Sequence, residues 1–198
     1  MAMNLLREYI RETLLTESVH PKIMEMIDTL ESNGGYVEIL PDRVLIWEPS
    51  NSGGTRWVAM VAYETTVGAR AGGKCGGAGG VVQSATAKTG MGPLAYDVAI
   101  EAQEGMGLIS DRASVSSDAL AVWDYYMNNR PDVEVVQLDD QYNTLTPEDE
   151  DNCSQQVAIS DEQGNRMPKN WKDDALSKLY KKSGTPVMDE LRKREMLK

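Results

Sequence analysis

The spacing of apolar positions changes several times along the chain, and each change marks an element. In MNLLREYIRETLLTES, residues 3–18, Leu5, Leu6, Tyr9, Ile10, Thr13 and Leu14 fall on one side, with Arg7, Glu8, Arg11 and Glu12 largely opposite. That is the period of a short amphipathic helix. HPKIMEMIDTLESNGG, residues 20–35, predicts a second helix with Pro21 near its start and Gly34 at its stop. The period then shortens. GYVEIL and RVLIWE predict strands around a turn at Pro41 and Asp42, and after the turn SNSGG the run TRWVAMVAYETTV predicts a long third strand. Three consecutive strands with short turns predict an antiparallel meander.

The glycine-rich loop GARAGGKCGGAGG, residues 68–80, separates this meander from a second pattern. VVQSATAK predicts a strand, and residues 93–104 a helix with Leu94, Ala95, Val98, Ala99 and Ala102 inward and Gly105 as its stop. MGLIS predicts a buried strand. SSDALAVWDYYMNN predicts a helix capped by Ser116 or Ser117, with Ala119, Leu120, Trp123, Tyr126 and Met127 on one face, and VEVVQL a last strand. Strand, helix and strand in so short a stretch form a βαβ unit, so strand 81–87 is expected to run parallel to strand 108–110. After Leu138 the chain turns polar. TPEDEDNCSQQ and SDEQGNRMPKNW predict irregular surface segments, and TPVMDELRKREML a closing helix with Thr185 as cap and Pro186 in its first turn. The expectation is an α+β fold: a mixed sheet around a central βαβ unit, N-terminal helices and a C-terminal irregular and helical tail. The expected divisions are a leader over 1–17, a domain over 18–140 and a tail over 141–198, packed on the domain or tethered to it.

Charge narrows the partners. The formal net charge is −11, and a strongly acidic body repels phosphate backbones, which argues against nucleic acid. The charge is uneven: residues 169–198 hold nine basic and five acidic side chains, a balance of +4, leaving −15 for the remainder. A basic tail on an acidic body is the direct reading. The two cysteines, Cys75 and Cys153, and the single histidine, His20, offer no zinc-site spacing. A disulfide stays open, although nothing indicates an oxidising compartment. No apolar run is long enough to span a bilayer and the N-terminus lacks an apolar signal core, so a cytoplasmic protein without a membrane partner is expected.

Three readings compete for a phosphate-binding loop. GARAGGKC matches a P-loop except at its last position, where Cys75 replaces the magnesium-binding hydroxyl and no helix pattern follows. Gly90, Met91, Gly92, Pro93, Leu94 and Ala95 fit G-x-G-x-x-[GA] between a strand and a helix, and Asp111 lies 21 residues beyond Gly90. That satisfies a dinucleotide fingerprint, but three strands precede it and little αβ alternation follows. The third reading rests on SATAKTGMGPLAYDVAIEAQEG and its surroundings. From about residue 36 to 138 the order of elements resembles the GNAT superfamily of acyl-CoA-dependent N-acetyltransferases. VVQSATAKTGMGPLAYDVAIEAQEGMGLISDRASVSSDALAVWDYYMNN is similar to that family's central strand, pyrophosphate loop, helix, next strand and next helix. GPLAYDVAIE, SDR and NTLTPEDEDNC resemble proteins of tailed phages.

The resemblance implies that acetyl-CoA lies on backbone N–H groups between strand and helix. The residues placed there are Ala85, Ala87, Lys88, Thr89, Gly90, Met91, Gly92 and Pro93. Two glycines let backbone approach a ligand, and a helix N-terminus offers free N–H groups with partial positive charge. The family motif [RQ]-x-x-G-x-[GA] keeps both glycines and loses its leading Arg or Gln at Ala87. The family's next helix often carries Asn, then Ala, then a Tyr that protonates the departing thiolate. Aligned on Ala119, those places hold Ser116 and Trp123. Indole is not a usable acid, so Tyr126, about one turn later, becomes the candidate acid, and Glu64 near the end of the third strand the candidate base. Solvated and packed roles compete with these: Glu64 as a strand-end charge, Trp123, Tyr125 and Tyr126 as core aromatics, His20 as surface, Cys75 as an inert thiol. The implied activity is acetyl transfer to an unidentified amine, the amine attacking the thioester directly while a backbone N–H polarises its carbonyl. The alternative is a non-catalytic protein of the same fold, carried with virion proteins. Host cytoplasm or virion is the expected location.

The leader MNLLREYIRETLLTE resembles the amphipathic leaders of internal head proteins in T-even-type phages, which a prohead protease cuts after Leu/Ile-x-Glu. Leu15, Thr16 and Glu17 fit that site, and an ordinary docking helix is the competing reading. Cleavage predicts a chain beginning at Ser18 in mass spectra of purified particles. Finding only the full-length chain there, or none, overturns the packaging reading.

Overall fold

A computed structural model describes residues 18–64, 75, 78–142, 144–147, 151–160, 165–166 and 170–198. The leader helix and the P-loop-like stretch before Cys75 lie outside the described residues. Helix α1 (Pro21–Ser32) starts at His20, whose Nδ1 accepts from the Lys22 N–H at 3.3 Å, and it buries Ile23, Ile27 and Leu30. Strands β1 (Tyr36–Leu40), β2 (Arg43–Pro49) and β3 (Thr55–Glu64) form the antiparallel meander read from the alternation. Strand β4 (Gly80–Ala87), helix α2 (Gly92–Glu101) and strand β5 (Leu108–Ile109) then form the βαβ unit. Gly80 pairs with Leu108 and Val81 with Ile109 in parallel register, as the strand–helix–strand pattern predicts.

The chain continues through β6 (Ser114–Val115), α3 (Ser117–Asn129), β7 (Glu134–Gln137), β8 (Asp139–Asp140), β9 (Asn152–Cys153), β10 (Val157–Ile159), β11 (Asn165–Arg166), β12 (Lys178–Lys181) and α4 (Pro186–Lys193). The main sheet has seven strands in the order β1-β2-β3-β4-β5-β12-β7. Its β4–β5 pair is parallel and its other pairs are antiparallel. The fold is therefore α+β with a mixed sheet. A dinucleotide fold needs an extended parallel sheet, so that reading of Gly90 to Ala95 is withdrawn.

The tail differs from its expectation. Instead of remaining irregular, residues 178–181 form β12 between β5 and β7, with Leu179 and Tyr180 buried. Helix α4 buries Val187, Met188 and Leu191. The Val37 N–H donates to Met196 at 2.8 Å, and the Lys198 N–H donates to Val37 at 2.9 Å. The region after residue 140 thus contributes to the same core. Its basic character is used against acidic partners: Arg194 donates to Asp28 at 2.6 Å and to Glu31 at 2.7 Å. Cys75 and Cys153 form a disulfide, with Cα atoms 5.1 Å apart, beside buried Val81, Ile109, Leu138 and Leu179. Cys75 therefore presents no free thiol.

Helix α2 is the axis of the packing, since every residue from Leu94 to Glu101 is buried. Two of those residues are acids. Arg130 forks onto Asp97 at 2.7 and 2.8 Å and onto Asp132 at 2.8 and 2.6 Å. Lys182 reaches Glu101 at 2.6 Å and Asp97 at 3.3 Å. Glu101 also accepts from the N–H groups of Val187 and Met188, at 3.1 and 2.8 Å. It thereby occupies the N-terminus of α4, where Thr185 makes no side-chain cap. Desolvation alone would discharge this group. Against it, Lys182 and Arg130 hold the Asp97 carboxyl below the usual range, and the carboxylates hold Arg130 and Lys182 above theirs. On Glu101 desolvation is the larger effect and pushes its carboxyl up.

Removing one member strands the others in a dry core. Arg130→Met is expected to lower stability by about 3–5 kcal/mol, read as a fall in the urea midpoint at unchanged slope. A loss below about 1 kcal/mol, the range of an exposed pair, would show that the cluster is solvated.

Candidate functional site

Strand β5 has only two residues, so β4 loses that neighbour after Val81. The burial pattern of β4 records the parting: Gly80, Val81 and Val82 are buried, while Ser84 to Ala87 are exposed. On its other side β4 stays paired to β3 as far as Ala59 opposite Ala87. That register shifts once. Ala62 faces Ser84 and Tyr63 faces Val82, which leaves Gln83 without a partner in the ladder. A β-bulge of this kind bends the strand and redirects a side chain.

Two adjoining cavities fill the opening. The first, about 300 Å³, lies between Met60, Ala85, Ala87 and Gly92 on one side and Asp118 and Val122 of α3 on the other. The second, about 250 Å³, is walled by Gln83, Ser84, Asp111, Ser114, Trp123 and Ser160. Ala85, Tyr96, Ser116 and Ala119 border both. The loop from β4 to α2 ends at the first cavity. The Lys88 N–H donates to Val58 at 2.6 Å and the Met91 N–H to Lys88 at 3.0 Å, which closes a tight turn. Gly90 sits in that turn at φ +89°, a conformation disfavoured for residues with a Cβ. Met91 is buried and anchors the turn, while Thr89 and Gly90 are exposed.

Helix α2 begins at Gly92 with no side-chain cap, and Pro93 occupies its first turn. A Cβ built on Gly92 would meet only the Ala87 Cβ, at 3.7 Å, so the space ahead of the helix is open. Among the described residues, no backbone acceptor takes the Gly90 or Gly92 N–H. Orphan donors and the helix dipole make such a position attractive to an anion. The nearby cation, Lys88, is held by Glu48 at 3.0 Å. Alanine and glycine walls with uncapped amides fit a slender chain bearing a pyrophosphate. Among the described residues, no group of three His, Cys, Asp or Glu side chains is placed to hold a metal ion, and no helix is long and apolar enough to cross a membrane.

The residues chosen from the sequence divide accordingly. Ala85, Ala87 and Gly92 line the first cavity, and Lys88, Thr89, Gly90, Met91 and Pro93 build the turn that ends at it. Tyr126 does not reach the opening. It is fully buried, and its hydroxyl donates to Asp97 and lies 2.9 Å from the Pro93 carbonyl. Burial and the Asp97 charge push this phenol far above its usual range. The general-acid role is therefore withdrawn, because the acid is fixed on an internal partner. Glu64 pairs opposite Val81, and it borders neither cavity, so the geometry does not bring it to the opening as a general base. Trp123 belongs to the core aromatics and stacks on Tyr180 at 4.9 Å.

Sequence reasoning missed Tyr96, Gln83 and Ser160, and it placed Asp111 only in a dinucleotide fingerprint. Tyr96 occupied an apolar stretch of α2, and nothing local set it apart. Comparisons with protein-family models, with curated proteins and with solved structures find no match to this chain.

The geometry gives Tyr126 a structural role. Tyr126→Phe removes a hydrogen bond to a buried carboxylate and is expected to lower stability by about 1–3 kcal/mol, measured by chemical unfolding. Unchanged stability would contradict the internal-anchor assignment.

Proposed function

We propose that the chain is a GNAT-like, phage-encoded protein that binds acetyl-CoA and serves acetyl transfer to an amine. One observation carries the reading: β4 parts from β5 beside the uncapped N-terminus of a central helix, with Ala85, Ala87, Gly92 and Ala95 among the residues lining the opening. Bound acetyl-CoA supplies the activated thioester. The chain's part is positioning: Gly90 and Gly92 let the backbone approach the pyrophosphate, Ala85 and Ala87 leave room for the pantetheine arm, and the parted strand holds the acyl end near the Gln83 bulge. The backbone at the β4 bulge around Gln83 is the candidate donor to the thioester carbonyl. With Tyr126 and Glu64 withdrawn, proton transfer falls to solvent or to groups at the second cavity.

That withdrawal also favours a second reading, a non-catalytic virion or head-packaged protein of the same fold. Calorimetry of the purified chain separates the two from one side. Acetyl-CoA is expected to bind with modest affinity, because Ala87 lacks the family's basic or amide side chain, and NADH is expected not to bind. Gly92→Val places a side chain in the approach, where its Cβ meets only the Ala87 Cβ at 3.7 Å, and acetyl-CoA binding is expected to weaken at least tenfold, about 1.4 kcal/mol, with the unfolding midpoint measured alongside to show that the fold persists. No acetyl-CoA binding by the wild-type chain overturns the acetyltransferase reading and leaves the non-catalytic one.

A further inference from the structure

The centre of the main sheet has a second apolar face. Neighbouring residues there part to opposite sides: Val82, Leu108 and Tyr180 enter the main core, while Val81, Ile109 and Leu179 join a smaller cluster with Leu138, Cys75 and Cys153. Val81, Ile109, Leu179 and Val136 stand in one cross-strand row through β4, β5, β12 and β7. Two segments cover this row. The end of the glycine-rich loop contributes Cys75 and Ala78, and the stretch carrying β8 and β9 contributes Leu138 and Cys153. Neither cover has much of its own to hold it. Seven of the thirteen residues 68–80 are glycine, the residue with the most backbone freedom to lose on ordering. Strands β8 and β9 pair over two residues each, with Asp139, Asp140 and Asn152 in the ladder, and so short a pair is marginal alone. The Cys75–Cys153 bond joins the two covers across 78 residues of chain. Its sulfurs lie inside the cluster, Cys75 being 1% and Cys153 0% exposed.

We propose that the Cys75–Cys153 bond is a redox latch on this cover. Oxidised, it clamps the two segments over the Val81–Ile109 rung, the last parallel rung before β4 and β5 part. Reduced, the two covers lift from the sheet. The main core keeps the rest of the fold, because none of its buried side chains belongs to the latch cluster. Closing is an exchange with a small disulfide such as oxidised glutathione. One protein thiolate attacks a sulfur of that disulfide and expels a thiolate. The second protein thiolate attacks the mixed disulfide and expels the other. Two protein thiols are oxidised, one small disulfide is reduced, and the two protons lost by the protein end on the expelled thiolates. Buried sulfurs exchange only while the cover is lifted, so the latch answers a lasting change between reducing and oxidising surroundings rather than a brief one. The proposal is independent of any cofactor.

The test compares the full oxidised chain with the same chain in tris(carboxyethyl)phosphine, following amide hydrogen exchange by NMR. Three amides report on the cover: Ala78, which donates to Cys75 at 3.1 Å, Asp139, which donates to Asp151 at 3.1 Å, and Gln141, which donates to Cys153 at 3.0 Å. Val98, Ala99 and Ile100 of α2 report on the main core. Reduction is expected to speed exchange of the three cover amides about tenfold or more beyond any change in α2. The α2 resonances are expected to hold their positions, and both thiols to react with N-ethylmaleimide under native conditions. The double variant Cys75→Ala, Cys153→Ala is expected to match the reduced chain and to ignore the reductant. Equal acceleration of cover and α2 amides, or loss of the α2 resonances on reduction, overturns the proposal, since the bond then holds the whole fold and not a cover. Reduced thiols that stay closed to N-ethylmaleimide, or cover amides as protected after reduction as before, overturn it as well.

Discussion

Asp97 is the group on which the arrangement turns. It lies on the most buried of the described helices, its carboxylate is fully enclosed, and it is reached from two other parts of the chain, by Tyr126 and Arg130 at the end of α3 and by Lys182 after β12. A carboxylate in a dry interior is tolerated only when cations and donors surround it. Satisfying Asp97 therefore fixes the end of α3, the residue after β12 and the aromatic layer at once. Glu101, one turn further along α2, extends the same constraint to α4 by receiving its first amides. The apolar core supplies the mass of the packing, and this cluster determines which element meets which.

The opening between β4 and β5 follows from that organisation. With α2 pinned along its buried face, its N-terminus is held against the end of β4, and the short β5 cannot follow β4 past Val81. The edge that β5 abandons faces α3 and the segment around Ser114. The first cavity is thus bounded by β3, β4, the start of α2 and α3.

Much of this was legible in the residues. Alternation located β1, β2 and β3, helical spacing located α2 and α3, and the short strand–helix–strand interval fixed the parallel pair. Ser116 caps α3, as its residue type suggests, accepting from Ala119 at 3.2 Å. Two kinds of feature were not legible. Strand β12 is four residues with a lysine at each end, so its two buried positions carry almost no periodic signal. The polar interior was invisible for a different reason: Asp97 and Glu101 read locally as the solvent side of a helix, and the bases that bury them lie 33 and 85 residues from Asp97. The candidate site shows the same divide. Its glycine turn is local and was readable, whereas Tyr96, Gln83, Asp111 and Ser160 come together only through the fold. The roles given to Tyr126 and Glu64 rested on position along an element, which does not say whether a side chain borders a cavity or is taken by an internal partner.

The place of β12 between β5 and β7 has a consequence for synthesis. A ribosome releases β5 and β7 well before residues 178–182 exist. Until then the two strands have a gap between them, and Asp97 and Glu101 lack Lys182. A nascent chain of that length carries an open sheet edge and a half-compensated buried charge, both features that invite chaperones and hinder premature compaction. Completion of the sheet and the arrival of the second base are coupled, because Lys182 directly follows β12.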